Sequence, residues 1–99
     1  MISHSLTGFK GKNFEVRIEY SEDYFILHLL EISKFTKETY LEMKAMLKDL
    51  ALFARVVGYE DVFTGCDESN HKIRRLVSGL DFQFQGVAEG TCVYRYIGE

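Results

Sequence analysis

Thr36-Lys37-Glu38-Thr39-Tyr40-Leu41-Glu42-Met43-Lys44-Ala45-Met46-Leu47-Lys48-Asp49-Leu50-Ala51-Leu52-Phe53-Ala54-Arg55-Val56-Val57-Gly58 is the stretch on which the fold turns. Tyr40, Met43, Leu47, Leu50, Ala54 and Val57 recur in steps of three and four, while Glu42, Lys44, Lys48, Asp49 and Arg55 take the other faces. That spacing matches a helical period and predicts one apolar stripe set against a core. Thr36 is the predicted N-cap, because its hydroxyl can accept from an amide of the first turn, and Glu38 suits the positive end of the helix dipole. Gly58 is placed to end the helix in the left-handed region that its missing side chain permits.

Working outward, Phe14-Glu15-Val16-Arg17-Ile18-Glu19-Tyr20 alternates apolar and polar residues, the mark of a strand with one face on a core and the other in water. Ser21-Glu22-Asp23 supplies a turn, and Tyr24 to Ile32 is more continuously apolar, which predicts a strand covered on both faces and paired with the first as a hairpin. Leu6 to Lys10, punctuated by Gly8 and Gly11, reads as a further edge strand. After the helix, Asp61 to Gly65 reads as a strand parallel to the one before it. Ser69 or Asn70 caps a second helix that runs to about Leu80, with Ile73, Leu76, Val77 and Leu80 on one face. Phe82 to Gln85, a turn at Ala88-Glu89-Gly90, and Cys92 to Ile97 then form a hairpin. The predicted class is α/β (α+β): a mixed, mainly antiparallel sheet with a long crossover helix and a second short helix, in one domain over residues 1–99.

Ninety-nine residues, 46% hydrophobic and 27% charged, suit one globular domain that needs a well-filled core. The net charge is −3 with both signs interspersed, so no basic stripe is set out for nucleic acid. The apolar runs fall far short of the roughly 20 residues that span a bilayer, and the opening residues lack the charged start and apolar core of a signal peptide. The reading is of a protein that is not secreted and does not enter a membrane, so Cys66 and Cys92, which in principle could pair, are expected as reduced thiols.

Asn70-His71-Lys72-Ile73-Arg74-Arg75-Leu76-Val77-Ser78-Gly79-Leu80-Asp81-Phe82 is similar to a segment of the GNAT-family N-acetyltransferases. That segment opens on asparagine, runs as a helix, and ends in leucine, glycine and phenylalanine before a strand. Asn70, Leu76, Leu80 and Phe82 match; Asp81 stands where the family has glycine, and Val77 where active members often carry a tyrosine acid. The element order from Tyr24 to Ile97 also resembles the later two-thirds of that fold, and in texture the acetyltransferase-like internal virion proteins of short-tailed bacteriophages. The helical arm that helps wall the family's acceptor site has no counterpart here.

The resemblance implies a cofactor turn at the start of the long helix, where amides and the helix dipole meet the phosphates of acetyl coenzyme A. The equivalent stretch holds Ser33, Lys34, Thr36 and Lys37 as candidate cofactor-binding residues, together with Asn70, but it has no glycine and no arginine. Bulky side chains crowd the close backbone approach that glycine allows, and Glu38 repels an anion. For amine acetylation, which needs a base and an acid, Glu31 and His28 are the candidate bases and Tyr94, with Tyr96 beside it, the candidate acid. His28 also reads as a packed, hydrogen-bonded imidazole, and the two tyrosines as closing-strand packing. Cys66-Asp67-Glu68 with His71 lacks metal-site spacing and reads as a polar turn before the second helix. His71, Lys72, Arg74 and Arg75 form a basic cluster, either a solvated helix face or a dock for an acidic partner or a phosphate.

The expectation is therefore a catalytically degenerate acetyltransferase-like phage protein acting on a protein partner, in the virion or on a host factor, with no cofactor. The alternative is a minimal N-acetyltransferase using acetyl coenzyme A on a protein amine. Self-association through a C-terminal edge strand carrying Tyr94, Tyr96 and Ile97 is a third expectation. The implied setting is the host cytoplasm or the virion.

Overall fold

The computed structural model describes residues 3–32 and 35–98, apart from the side chains of residues 30 and 31. In chain order the elements are β1 (His4–Lys10), β2 (Phe14–Tyr20), β3 (Phe25–Ile32), α1 (Lys37–Val56), β4 (Phe63–Asp67), α2 (His71–Gly79), β5 (Phe82–Ala88) and β6 (Thr91–Tyr96). The six strands make one sheet in the order β1-β2-β3-β4-β6-β5. Every pair is antiparallel except β3 with β4, so the fold is the mixed α+β arrangement that the sequence predicts.

The long helix forms as its end signals require. Thr36 adopts an extended conformation and its Oγ1 accepts from the Thr39 amide at 3.2 Å. At the other end Gly58 has φ +109°. Its amide donates to the Arg55 carbonyl at 3.1 Å while the Tyr59 amide reaches back to the Ala54 carbonyl at 2.9 Å. These paired bonds are a Schellman closure, with glycine at the one position that must turn left-handed. Met43, Met46, Leu47 and Ala54 are buried and Tyr40 and Leu50 pack beside them. Val57 was expected on this stripe, but as the C-cap it has left the helical path and is half exposed.

Sheet register explains which side chains meet the helices. Phe14, Val16 and Ile18 of β2, Phe25 and Leu27 of β3, Thr64 of β4, and Cys92 and Tyr94 of β6 are buried on one face. With Val77 and Leu80 from the α2 segment they form a single core with α1. The other face carries Glu15, Arg17, Glu19, Ile26, His28, Phe63, Val93 and Arg95, and none of these is buried. Contrary to the expectation for its apolar run, β3 is covered on one face only. Both crossovers step the same way along the sheet, and residues of both helices share one core with the same sheet face, as the right-handed rule for such connections requires.

The β3–β4 junction is narrow. Among the described residues its pairing consists of Ile26↔Phe63 and Leu27↔Thr64. The Thr64 hydroxyl donates to the Leu27 carbonyl at 2.7 Å and thereby ties the two strands from inside the core.

In contrast to the sequence reading, β4 spans Phe63–Asp67 rather than 61–65, and β6 is not the edge of the sheet. The α2 crossover carries the chain past one strand position, and β6 then returns into the gap between β4 and β5. Tyr94 is therefore buried and Tyr96 partly buried, and the C-terminal edge is β5, with Phe84 and Val87 half exposed. The hairpin turn itself is as expected, with Glu89 at φ +52° and Gly90 at φ +80°, the two positive values a type I′ turn needs.

Candidate functional site

A groove of about 600 Å³ lies between the start of α1 and α2. Ile32, Phe35, Ile73 and Leu76 give it apolar walls, and the exposed Lys72 and Arg75 also line it. Tyr40 joins its two sides, since its hydroxyl donates to the Gly79 carbonyl at 2.7 Å. The Phe35 ring meets the Tyr40 ring edge-on at 6.3 Å, and Lys44 Nζ stands 5.7 Å from the centre of the same ring. Lys44 also reaches the Asp81 carboxylate at 3.7 Å, a half-exposed pair worth at most about 1 kcal/mol. An apolar cleft with two cations suits an elongated ligand with an anionic end, or an acidic side chain of another protein.

Of the candidate cofactor residues, Ser33 and Lys34 lie outside the described residues, as does the side chain of the candidate base Glu31. Thr36 and Asn70 are both engaged as helix caps: Thr36 bonds the Thr39 amide and Asn70 Oδ1 accepts from the Ile73 amide at 3.3 Å. Asn70, not Ser69, therefore caps α2. Ser69 instead donates through its amide, at 2.9 Å, and its hydroxyl, at 2.5 Å, to Asp67 Oδ1, and these bonds hold the Asp67 carboxyl below its ordinary range. Lys37, the first residue of α1, is exposed. Bulky Phe35 and anionic Glu38 flank Thr36 and Lys37, so the first turn presents no glycine-lined cradle.

The candidate acid and base are not brought together. His28 sits on the open face of the sheet, its Nε2 3.1 Å from Glu19 Oε1, while the Tyr24 hydroxyl donates to Glu19 Oε2 at 3.1 Å. Tyr94 points to the opposite, helix-covered face and its hydroxyl accepts from Arg74 Nε at 3.3 Å. Neither group has a common substrate position with the other. Arg74 also donates to the Glu68 carbonyl at 3.3 Å, and its guanidinium lies 5.9 Å from the Phe84 ring centre. It is thus a brace between α2 and the sheet, and the exposed basic cluster reduces to His71, Lys72 and Arg75.

Among the described residues no group of three His, Cys, Asp or Glu side chains is arranged to hold a metal ion, and no helix is long and apolar enough to cross a membrane. Sequence reasoning missed Glu19 as the partner of His28. The signal was present in the hairpin, whose register sets Arg17 opposite His28 and so places Glu19 one diagonal step away. Compared with known proteins, the chain matches no family model, no curated protein and no solved structure.

Proposed function

We propose that this chain is an acetyltransferase-like protein that acts by binding another protein rather than by turnover. The observation that carries this reading is an apolar surface at the C-terminal end of α1. Leu52, Phe53, Val56 and Val57 are between 50% and 77% exposed there, and Leu6 of β1 is 40% exposed. Leu6, Phe53 and Val57 line one depression of about 250 Å³ with Tyr20 and Tyr59. A clustered apolar surface of this kind marks contact with another macromolecule more often than catalysis. The resemblance to internal virion proteins supplies the setting, a virion component or a host factor as partner. A second copy of the chain is a partner of the same class, and its route is the uncharged edge β5.

The test is a double variant, Leu52→Glu with Val56→Glu, used beside the wild type as bait. Both positions are at least half exposed, so stability is expected to change by no more than about 0.5 kcal/mol per site. A partner held through this surface is expected to bind at least tenfold more weakly, since docking would bury two carboxylates without partners. A partner retained equally by both proteins overturns the reading.

The groove between α1 and α2 favours the second reading, a minimal N-acetyltransferase, because Lys72 and Arg75 offer charge to the phosphates of acetyl coenzyme A. Thermal unfolding in the presence of that cofactor separates the two. A ligand at one hundred times its Kd adds about 2.7 kcal/mol, which for a domain of this size raises the Tm by roughly 10–20 °C. No displacement is expected at millimolar cofactor, and a saturable rise establishes the enzyme reading instead.

A further inference from the structure

Cys66 of β4 and Cys92 of β6 stand directly opposite each other in the antiparallel ladder, and both are free thiols. Both pack on the core, Cys92 fully buried and Cys66 partly so. The Glu68 amide bonds the Gly90 carbonyl at 3.0 Å and the Tyr96 amide the Val62 carbonyl at 2.8 Å. Closely bonded pairs alternate along such a ladder, which makes Cys66↔Cys92 one of them. The α-carbons of a bonded pair are about 5.5 Å apart, within the roughly 4.4–6.8 Å that disulfides span. Directly opposed β-carbons, at about 4.5–5.5 Å, stand slightly wider than the roughly 3.5–4.5 Å of bridged cysteines. A bond here needs a small approach of the strands and is under tension once made, which renders it easy to reduce.

From this placement we infer that Cys66 and Cys92 are a reversible redox site that takes a small-molecule disulfide of the glutathione type as oxidant. The Cys66 thiolate, the more accessible of the two, attacks one sulfur of the oxidant and expels a thiolate. The Cys92 thiolate then attacks Cys66 Sγ in the mixed disulfide, expels the second thiolate and closes the Cys66–Cys92 bond. Two electrons pass to the oxidant, one S–S bond is exchanged for another, and the two protein protons end on the released thiols. Burial, then the neighbouring Cys92, push the Cys66 thiol up, with Arg74 drawing it partly back. The first attack is accordingly slow at neutral pH and quickens as the pH rises, because the thiolate is the nucleophile. Once formed, the bond staples β4 to β6 immediately before the Asp67–Asn70 turn that launches α2.

The full chain, incubated with graded ratios of oxidised to reduced glutathione, then alkylated and weighed intact, tests this. The expected product has lost two thiols, carries no glutathione, maps to a Cys66–Cys92 bridge and reverts with dithiothreitol. Its rate is expected to rise about tenfold per pH unit below the thiol pKa. Cys92→Ala is expected to retain glutathione on Cys66, and Cys66→Ala to stay unmodified. Lasting glutathione on wild-type Cys66, a dimer linked through Cys66, or two thiols still free under fully oxidising conditions each overturn the inference, and the wild-type result decides even where a variant fails to fold.

Discussion

Phe25→Ala is expected to lower the unfolding free energy by about 3–5 kcal/mol, the range for deleting a buried aromatic side chain. Phe25 opens β3 and is 2% exposed. Its ring lies 5.3 Å from that of Tyr59 and 6.4 Å from that of Phe53, centre to centre, so it is the point where the end of α1 is fastened to the sheet. Domains of this kind are stable by about 5–15 kcal/mol in total, and the substitution therefore removes from about a fifth of that to all of it. Urea unfolding is the measurement: the midpoint is expected to fall with the slope unchanged. An unmoved midpoint shows that the α1 terminus is not held by this ring.

Thr64→Val is expected to cost about 1–3 kcal/mol although shape and volume are nearly kept. The Thr64 hydroxyl and the Leu27 carbonyl it serves lie inside the core, Thr64 being 3% exposed. Valine replaces the hydroxyl with a methyl group facing that carbonyl inside the core, and taking a buried donor away from an acceptor it serves costs about 1–3 kcal/mol. The position is sensitive because β3 and β4 have so little other pairing. Thr64→Ser keeps the donor and loses one methyl group, so it is expected to cost only about 1 kcal/mol. Thermal denaturation of the three proteins orders them wild type, serine, valine; equal loss in the two variants means that packing, not the hydrogen bond, closes the junction.

Much of this architecture is legible in the chain because it is written locally. The alternation of Phe14 to Tyr20, the stripe from Tyr40 to Ala54, the cap at Thr36 and the stop at Gly58 each depend on neighbours within a few residues, and each is found where periodicity places it. Strand adjacency is not local. Nothing between Phe82 and Ile97 states that β6 enters between β4 and β5, and this is why Tyr94 and Tyr96 read as edge residues when they are interior. Val57 fits the helical spacing and still lies outside the core, because the cap geometry overrides the period. The candidate site was legible only as residue types. His28 and Tyr94 are plausible as base and acid in a list, and the pleat puts them on opposite faces. The opposition of Cys66 and Cys92 arises wholly from register, across 26 positions of sequence.

The interior placement of β6 also sets the order in which the sheet can be completed on a growing chain. β1, β2 and β3 follow one another in both sequence and space, so they can pair as they emerge. β4 and β5 cannot become neighbours of anything on their shared side until β6, which follows both, has been made. Until that moment they are two unpaired edges held apart by α2, the condition in which a nascent domain is most open to mispairing. The uncharged β5 is the strand most exposed to that hazard during synthesis, and the short Glu89-Gly90 turn, which brings β6 back at once, is what keeps the interval brief.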